Sequence, residues 1–331
     1  MKIQHTAILA ILAIGLVMTL AADGLSPAWR AYLDPPKEYA AFKRSARRVV
    51  VHERPDYTVE VYEQANGPKT AQRVLVAIPR GVRGRMPAVV APFYFPEAML
   101  GEDPANGGLE CPYARRNGTN LTFYAAIKYM ADLARRGYVT ASADAYHITY
   151  PERGDGSFSC WRRAGEALAR DWPGWTGVGK LAFDTRLVVD LLAKHPRVDA
   201  ERIGMIGHSL GGKMAFYAGM LDPRVKVVVA SDSGINWDQT NWQDVWYWGG
   251  KLQEVRSRGM DHAGLLSLAG GKPFCLIAGN YDDATSGAMM RRAAGYAEHP
   301  ERLLLVNHAT GHRPPRAATE VGYQFLDRYL K

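Results

Sequence analysis

Arg202-Ile203-Gly204-Met205-Ile206-Gly207-His208-Ser209-Leu210-Gly211-Gly212-Lys213 is the stretch of sequence that decides the fold of this chain. Its apolar start predicts a short buried strand, and the residues after Ser209 predict a helix that runs to about Leu221. Ser209, in the tight turn between them, requires neighbours with almost no side chain, and Gly207 and Gly211 meet that requirement. Gly-x-Ser-x-Gly between a strand and a helix is typical of a nucleophile elbow.

Such an elbow gives Ser209 a chemical role as well as a structural one. The turn exposes the serine hydroxyl in a cleft. The helix that follows leaves the Leu210 N–H at its N-terminus, where negative charge on a reacting oxygen is stabilised. Serine in a glycine-rich turn is often only a turn residue, but the flanking strand and helix favour the catalytic interpretation. We therefore predict Ser209 as a nucleophile and Leu210 as an oxyanion-hole donor.

The composition is that of an ordinary folded protein. The chain has 331 residues, of which 47% are hydrophobic and 22% are charged, and this length suffices for a full core. The net charge is +8, but the arginine pairs are scattered and form no stripe with aromatic residues, so we predict no nucleic-acid partner. The three cysteines lack metal-ligand spacing, and neither a metal nor an organic cofactor is predicted.

Residues 1–22 have the layout of a secretory signal peptide. Lys2 and His5 precede an apolar run from Ala7 to Leu20, and the small residues Ala21 and Ala22 follow. We predict cleavage after this run and a secreted or periplasmic protein with no stable membrane span afterwards. An uncleaved N-terminal anchor is the alternative.

Export would permit disulfide bonds. Cys111 and Cys160 lie in loop-like stretches, and a bridge between them is predicted. Cys275 lies within an apolar run and is predicted to be a buried free thiol.

Strands and helices alternate from Val89 to the C-terminus, which predicts an α/β fold with a mostly parallel central sheet and helices on both faces. No linker divides the chain, so residues 23–331 are predicted to form one domain. Residues 23 to about 55 predict an irregular lead-in with a short helix near Glu38–Arg47. The remaining predicted strands are Tyr57–Gln64, Gln72–Ile78, Ala88–Phe93, Tyr138–Ala143, Val225–Ala230, Pro273–Gly279 and Arg302–Val306. The remaining predicted helical segments are Leu121–Arg136, Trp161–Arg170, Lys180–Lys194, Ala284–His299 and Pro315–Leu330.

The segment 234–271 interrupts the alternation, and we call it the cap. Within twelve residues of sequence it carries Trp237, Trp242, Trp246, Tyr247 and Trp248. Aromatic residues of this kind either hold an insertion against the body of the protein or offer flat faces to sugar and aryl groups. We predict Trp242 and Trp246 as substrate-binding residues.

A serine nucleophile needs a base and a group that orients the base. His312 and, second, His308 are the candidates for the base, because both follow the last predicted strand at the edge where the elbow also lies. Asp282 follows the preceding strand and is the first candidate for the orienting acid. Its neighbour Asp283 is the second candidate or a helix cap, and Asp232 is the third.

These residues carry a resemblance that covers roughly residues 57–331. Gly207–Lys213, Arg197–Ile203, Gly279–Asp282 and Gly311-His312 are similar to motifs of the α/β-hydrolase superfamily, within its dienelactone-hydrolase and acetylxylan-esterase-like branch. Dienelactone hydrolases proper carry a cysteine nucleophile, whereas this chain has Ser209. The resemblance implies an acyl-enzyme mechanism, in which the serine attacks a carbonyl carbon and the histidine transfers the proton.

The resemblance also implies a second oxyanion-hole donor, a backbone N–H after the third strand of the fold. Tyr94 best matches that position and Phe95 is the alternative; the usual His-Gly motif is absent there. The predicted function is that of an exported serine esterase acting on small-acyl or carbohydrate-linked esters, small or polymeric. A lipase or a serine peptidase of the same fold is the first alternative, and a non-catalytic binding protein is the second.

Overall fold

The central sheet contains every strand predicted from the sequence, with one further strand at its edge. The computed structural model describes residues 27–102, 109, 127–150, 158–268, 271–279 and 283–331. In these residues the strands are β1 (Ala46–Glu53), β2 (Tyr57–Ala65), β3 (Ala71–Pro79), β4 (Met86–Val90), β5 (Val139–Ala143), β6 (Val198–His208), β7 (Val225–Ser231), β8 (Phe274–Ala278) and β9 (Leu303–Asn307). They form one nine-stranded sheet in the spatial order β1-β2-β3-β5-β4-β6-β7-β8-β9.

The helices connect these strands. They are α1 (residues 27–33), α2 (Lys37–Ala40), α3 (Pro96–Leu100), α4 (Tyr129–Arg135), α5 (Tyr146–Thr149), α6 (Phe158–Asp171), α7 (Gly177–Lys194), α8 (Leu210–Leu221), α9 (Lys251–Ser257), α10 (His262–Leu268), α11 (Asp283–Tyr296) and α12 (Arg316–Leu330). A short 3₁₀ helix spans Pro300–Arg302. β1 pairs antiparallel with β2, β2 with β3, and β3 with β5. The neighbouring pairs from β5 to β9 in the spatial order are parallel.

Helices cover both faces of the sheet, as predicted. Successive strand residues point to opposite faces. Val228 therefore packs in a buried cluster with α7 and α8, whereas its neighbours Val227 and Val229 pack in a second buried cluster with α4 and α12. Since the central strands are parallel, their carboxyl ends meet at one edge of the sheet, and the elbow lies at that edge.

The lead-in differs from the prediction. It contains the helix α1 at residues 27–33, the predicted short helix is only Lys37–Ala40, and Ala46–Glu53 forms β1 rather than irregular chain. β1 is an edge strand that pairs with β2 alone, and it is mostly exposed: Val49 and Val51 are 46% and 41% exposed, and of its valines only Val50 packs against the core. An edge strand of this kind lacks the period-two hydrophobic pattern that identifies half-buried strands.

The predicted helix Leu121–Arg136 is also corrected. Among the described residues it begins at Tyr129, after Lys128, whose φ of 29° is not helical. Ile127, predicted on the apolar side of that helix, is buried but precedes it. Other boundaries agree within a few residues, and the amphipathic segment predicted at Trp161–Arg170 is part of α6.

The cap lies between β7 and β8 and packs closely on the body of the protein. Trp237, Trp242 and Trp248 are 8%, 1% and 2% exposed. The Val178 N–H at the start of α7 donates to the Tyr247 carbonyl oxygen at 3.1 Å. The aromatic residues of the cap therefore serve chiefly to hold it in place.

Cys275 agrees with the prediction, whereas Cys160 is a thiol within a helix rather than a bridged residue in a loop. Cys275 is fully buried on β8, and burial raises the pKa of its thiol to about 12. Cys160 is buried in α6, with its Sγ 2.7 Å from the His147 carbonyl oxygen. Cys111 lies outside the described residues, but because Cys160 carries a thiol whose Sγ donates to a carbonyl oxygen, the predicted bridge between them is wrong.

Candidate active site

The elbow has the strained geometry that its sequence predicts. Ser209 lies between β6 and α8 with φ 55° and ψ −118°, a conformation that residues with a Cβ rarely adopt. A Cβ on Gly207 would overlap the Gly211 carbonyl oxygen, and a Cβ on Gly211 would overlap the Pro92 carbonyl oxygen. The two glycines of the motif are therefore required by close backbone approach, and the Ser209 N–H is fixed by a 2.8 Å bond to the Ser231 carbonyl oxygen.

The structure brings His312 to the serine. His312 follows β9, and its Nε2 lies 2.9 Å from the Ser209 Oγ, within hydrogen-bond reach of a general base. Burial lowers the pKa of His312, and the nearby Lys213 ammonium lowers it further. The imidazole is therefore held in the neutral form that can accept a proton.

His308 has a different partner. Its Nε2 lies 3.0 Å from Asp232 Oδ1, and its Nδ1 lies 2.6 Å from Thr310 Oγ1. The Thr310 backbone N–H also donates to Nδ1, at 3.4 Å. Because a backbone N–H can only donate, we assign the proton of His308 to Nε2, where it is donated to Asp232. Both ring nitrogens are thus engaged away from Ser209.

The three candidates for the orienting acid differ in their positions and contacts. Asp282 lies outside the described residues, and its role stays a prediction. Asp283 is the first residue of α11. Asp232 follows β7, is 3% exposed and has φ 48°. Its carboxylate contacts His308 rather than His312.

His208 is a neighbour of the site that sequence reasoning did not assign. It is fully buried, and its ring centroid lies 4.9 Å from that of His312. Burial holds the pKa of His208 well below its usual range. Its place directly before the serine was visible in the motif, but nothing in the sequence indicated that its ring would pack against the base.

The predicted oxyanion-hole segments lie against the elbow. Leu210 is fully buried and is the first residue of α8. The close approach of Gly211 to the Pro92 carbonyl oxygen brings the segment after β4 to the same turn. Tyr94 follows in this segment with its ring edge-on to Trp161, at a centroid distance of 5.3 Å, and Phe95 directly precedes α3.

Of the two tryptophans predicted to bind substrate, one is corrected. Trp242 is 1% exposed and its ring packs in the cap against Trp237 at 5.8 Å, so it offers no face to a ligand. Trp246 is only partly buried, and its ring lies 6.4 Å from Trp161, which in turn contacts Tyr94. Trp246 is therefore the tryptophan of this pair that can contact substrate.

Lys213 is a second residue that sequence reasoning missed, although it belongs to the opening stretch. It lies one helical turn after Ser209 and is 3% exposed. Its Nζ donates to Asn241 Oδ1 at 2.9 Å and lies 4.2 Å from the ring centroid of Tyr247. A buried ammonium thus joins the elbow helix to the cap. The position of Lys213 four residues after Ser209 was the one feature of the sequence that could have indicated this role.

No group of His, Cys, Asp and Glu side chains suited to a metal ion occurs among the residues that the structure describes. In the same part of the chain, no helix combines the length and the apolar character needed to cross a membrane.

A comparison with protein families finds one matching segment. The model of the family described as fungal glucuronyl esterase matches residues 180–253, which comprise most of α7, the elbow and part of the cap. No curated protein matches the chain.

Solved structures of carbohydrate esterases resemble the whole chain. A glucuronoyl esterase from Solibacter usitatus has a TM-score of 0.68 at 16% identity, covering 89% of this chain and 88% of that one. A CE15 glucuronoyl esterase from Teredinibacter turnerae has a TM-score of 0.67 at 17% identity, with 93% and 85% covered. An acetyl xylan esterase from Paenibacillus sp. R4 has a TM-score of 0.58 at 15% identity, with 88% and 90% covered.

At these identities the likeness shows the fold. The predicted resemblance is confirmed at that level, and the elbow segment lies within the family match. The chain has the α/β-hydrolase fold, in the arrangement that these esterase structures share.

Proposed function

We propose that this protein is a serine esterase that cleaves carboxylic esters linked to carbohydrate. The observation that carries the proposal is the 2.9 Å contact between His312 Nε2 and Ser209 Oγ at a strained elbow. A serine hydroxyl is protonated at neutral pH and reacts only when a base removes its proton. His312, whose pKa is lowered by burial, is such a base.

The reaction proceeds through an acyl-enzyme. Ser209 Oγ attacks the ester carbonyl carbon while its proton passes to His312 Nε2, and the carbonyl oxygen becomes an oxyanion. The tetrahedral intermediate collapses as the imidazolium gives the proton to the departing alcohol oxygen. Water, deprotonated by the same imidazole, then attacks the acyl carbon and releases the acid and the free serine.

The oxyanion is stabilised by backbone donors at the elbow. The Leu210 N–H is the first donor, at the N-terminus of α8, where the helix dipole also favours negative charge. The Tyr94 N–H is the second, in the segment that the Pro92 contact brings against the elbow. Each such donor is worth about two to three orders of magnitude in rate.

Asp282 is the proposed group that orients His312. Its position after β8 supports this role, since the ends of β8 and β9 are neighbours in the sheet and His312 follows β9. Asp232 is the less suitable acid, because His308 occupies its Oδ1.

The carbohydrate part of the proposal rests on the cap and on the comparisons. The structural neighbours are named as glucuronoyl and acetyl xylan esterases. On the cap side of the site lies the partly exposed Trp246, whose face can stack on a sugar ring. A lipase would favour a more apolar cap than one in which Lys213 contacts Asn241.

Export is part of the proposal. The apolar run after Lys2 supports a cleaved signal peptide, and a secreted or periplasmic enzyme would meet polymeric carbohydrate esters outside the cytoplasm.

The test is a rate profile on the chain without residues 1–22. The substrates are methyl glucuronate, acetylated xylan and p-nitrophenyl esters of increasing acyl length, and Ser209→Ala is the control. We expect turnover of carbohydrate esters, little activity on long acyl chains, and a loss of several orders of magnitude in the variant. Near-normal turnover by Ser209→Ala would refute the nucleophile, and rates that rise with acyl length would favour a lipase.

A further inference from the structure

The loop after β9 carries two histidines with separate partners. His308 and His312 lie four residues apart, and each presents Nε2 to a group at the end of another strand. His312 contacts Ser209 after β6, whereas His308 contacts Asp232 after β7. We propose that His308, bound to Asp232, is a positioning residue that holds this loop where His312 reaches Ser209. This inference rests on the proposed function of the Ser209 site.

The carboxylate that His308 binds is itself fixed. Asp232 is 3% exposed, and its Oδ2 accepts a 2.7 Å hydrogen bond from the Ser231 hydroxyl while Oδ1 faces His308. Its backbone N–H donates to the Ile277 carbonyl oxygen on β8 at 2.8 Å. The sheet therefore sets the position of the carboxylate, and the carboxylate sets the position of the His308 ring.

The other side of the His308 ring fixes the chain that leads to His312. Nδ1 accepts from both the hydroxyl and the backbone N–H of Thr310. Thr310 is two residues before His312, so its hydrogen bonds restrict the backbone that carries the base. Without the ring, the loop keeps the His308 backbone bond to the Ala278 carbonyl oxygen, at 2.9 Å, but loses both bonds to Thr310.

The packing leaves no room for the pair to shift. A Cβ on Gly279 would lie 2.7 Å from the Thr310 carbonyl oxygen, 2.8 Å from His308 Cε1 and 2.9 Å from Asp232 Oδ1. The pair and the loop thus fill the space at the end of β8. His208 adds a third link, since its Nδ1 lies 3.7 Å from Asp232 Oδ2 and its ring packs on His312.

The chain offers a matched control for this pair. His195 and Glu60 form another buried histidine–carboxylate pair, with Nε2 3.2 Å from Oε2, and His195 directly follows α7 at the opposite end of the parallel strands. His195→Leu removes a comparable contact without touching the loop after β9. An effect that is specific to His308 must therefore be larger in the His308 variants than in His195→Leu.

The experiment compares His308→Leu, His308→Gln and His195→Leu by kcat and KM for p-nitrophenyl acetate. We expect kcat to fall about 100-fold in His308→Leu with KM nearly unchanged, because a displacement of about 1 Å at a catalytic group costs about that factor. His308→Gln keeps a donor for Asp232 and should recover most of the rate. His195→Leu should keep the wild-type kcat at temperatures where it is folded.

Further measurements keep the test decisive. If His308→Leu does not fold, Thr310→Val removes one hydroxyl bond and should lower kcat about fivefold. The ring ¹H–¹⁵N signals of His312 should move in the His308 variants and stay in His195→Leu, whether or not the wild type hydrolyses esters.

The proposal is overturned if His308→Leu and His195→Leu have the same kcat, if His308→Gln is as slow as His308→Leu, or if the His312 signals stay unchanged. Loss of the proposed function alone would look different: the wild type would hydrolyse no ester, while the His312 signals would still respond to His308.

Discussion

Replacing Ser209 by glycine and by alanine separates the strain at the elbow from its chemistry. Ser209 has φ 55° and ψ −118°, and a residue with a Cβ held in such a sparsely populated conformation stores about 1–3 kcal/mol. Both substitutions remove the hydroxyl and its contact with His312, so that loss cancels between them. The conformational strain remains in Ser209→Ala and is released in Ser209→Gly.

The net difference in the free energy of unfolding follows from two opposing effects. Release of strain favours Ser209→Gly by about 1–3 kcal/mol. The greater backbone freedom of glycine in the unfolded chain opposes it by about 0.5–1 kcal/mol. We therefore expect Ser209→Gly to be more stable than Ser209→Ala by up to about 2.5 kcal/mol, although neither variant hydrolyses esters at a useful rate.

Urea unfolding measures this difference, with Ser257 as the matched control. Ser257 ends α9, and its hydroxyl donates to the Glu254 carbonyl oxygen at 2.8 Å. At this helical position glycine should be less stable than alanine by about 0.5–1 kcal/mol, which is the opposite sign. If glycine at 209 is also less stable than alanine, the elbow holds no strain and the reasoning is refuted.

Three further predictions, made with four substitutions, test other parts of the structure. Lys213→Met removes a charge that lowers the pKa of His312, a pKa on which burial has the largest effect. Because the base must be neutral, the acid limb of the kcat/KM–pH profile should move to higher pH, and an unmoved limb would contradict this. Arg73→Met leaves two carboxylates, each 2% exposed, without their cation, and urea unfolding should report a loss of about 3–5 kcal/mol, whereas a loss under 1 kcal/mol would contradict it. Trp242→Ala should lower the free energy of unfolding by about 3–5 kcal/mol, since its ring is buried. Trp246→Ala should mainly raise KM for carbohydrate esters, and the reverse pattern would refute the assignment of the two rings.

The parts of the site that follow from local sequence were predictable. Ser209 is identified by glycines that the backbone geometry requires, and His312 by its position after the last strand of a parallel sheet. Both signals lie within a few residues of the group concerned. The alternation of strands and helices likewise fixes the central sheet, because buried parallel strands are continuous apolar runs.

The parts that depend on distant contacts were not predictable. His308 and Asp232 are 76 residues apart, and only the fold brings them together. Burial of Trp242 depends on how the cap packs, and a tryptophan in the sequence looks the same in a core and in a binding cleft. β1 shows no hydrophobic period, since only Val50 of its three successive valines packs against the core.

The buried rings of the cap have a consequence for the timing of turnover. A tryptophan buries about 150–250 Å², so swinging one ring of the cap into water costs about 4–6 kcal/mol at ~25 cal/mol per Å². Trp237, Trp242 and Trp248 would all have to leave together. Opening of the cap is therefore too costly to be a step of each catalytic cycle, and cap motion should add no dependence of kcat on solvent viscosity.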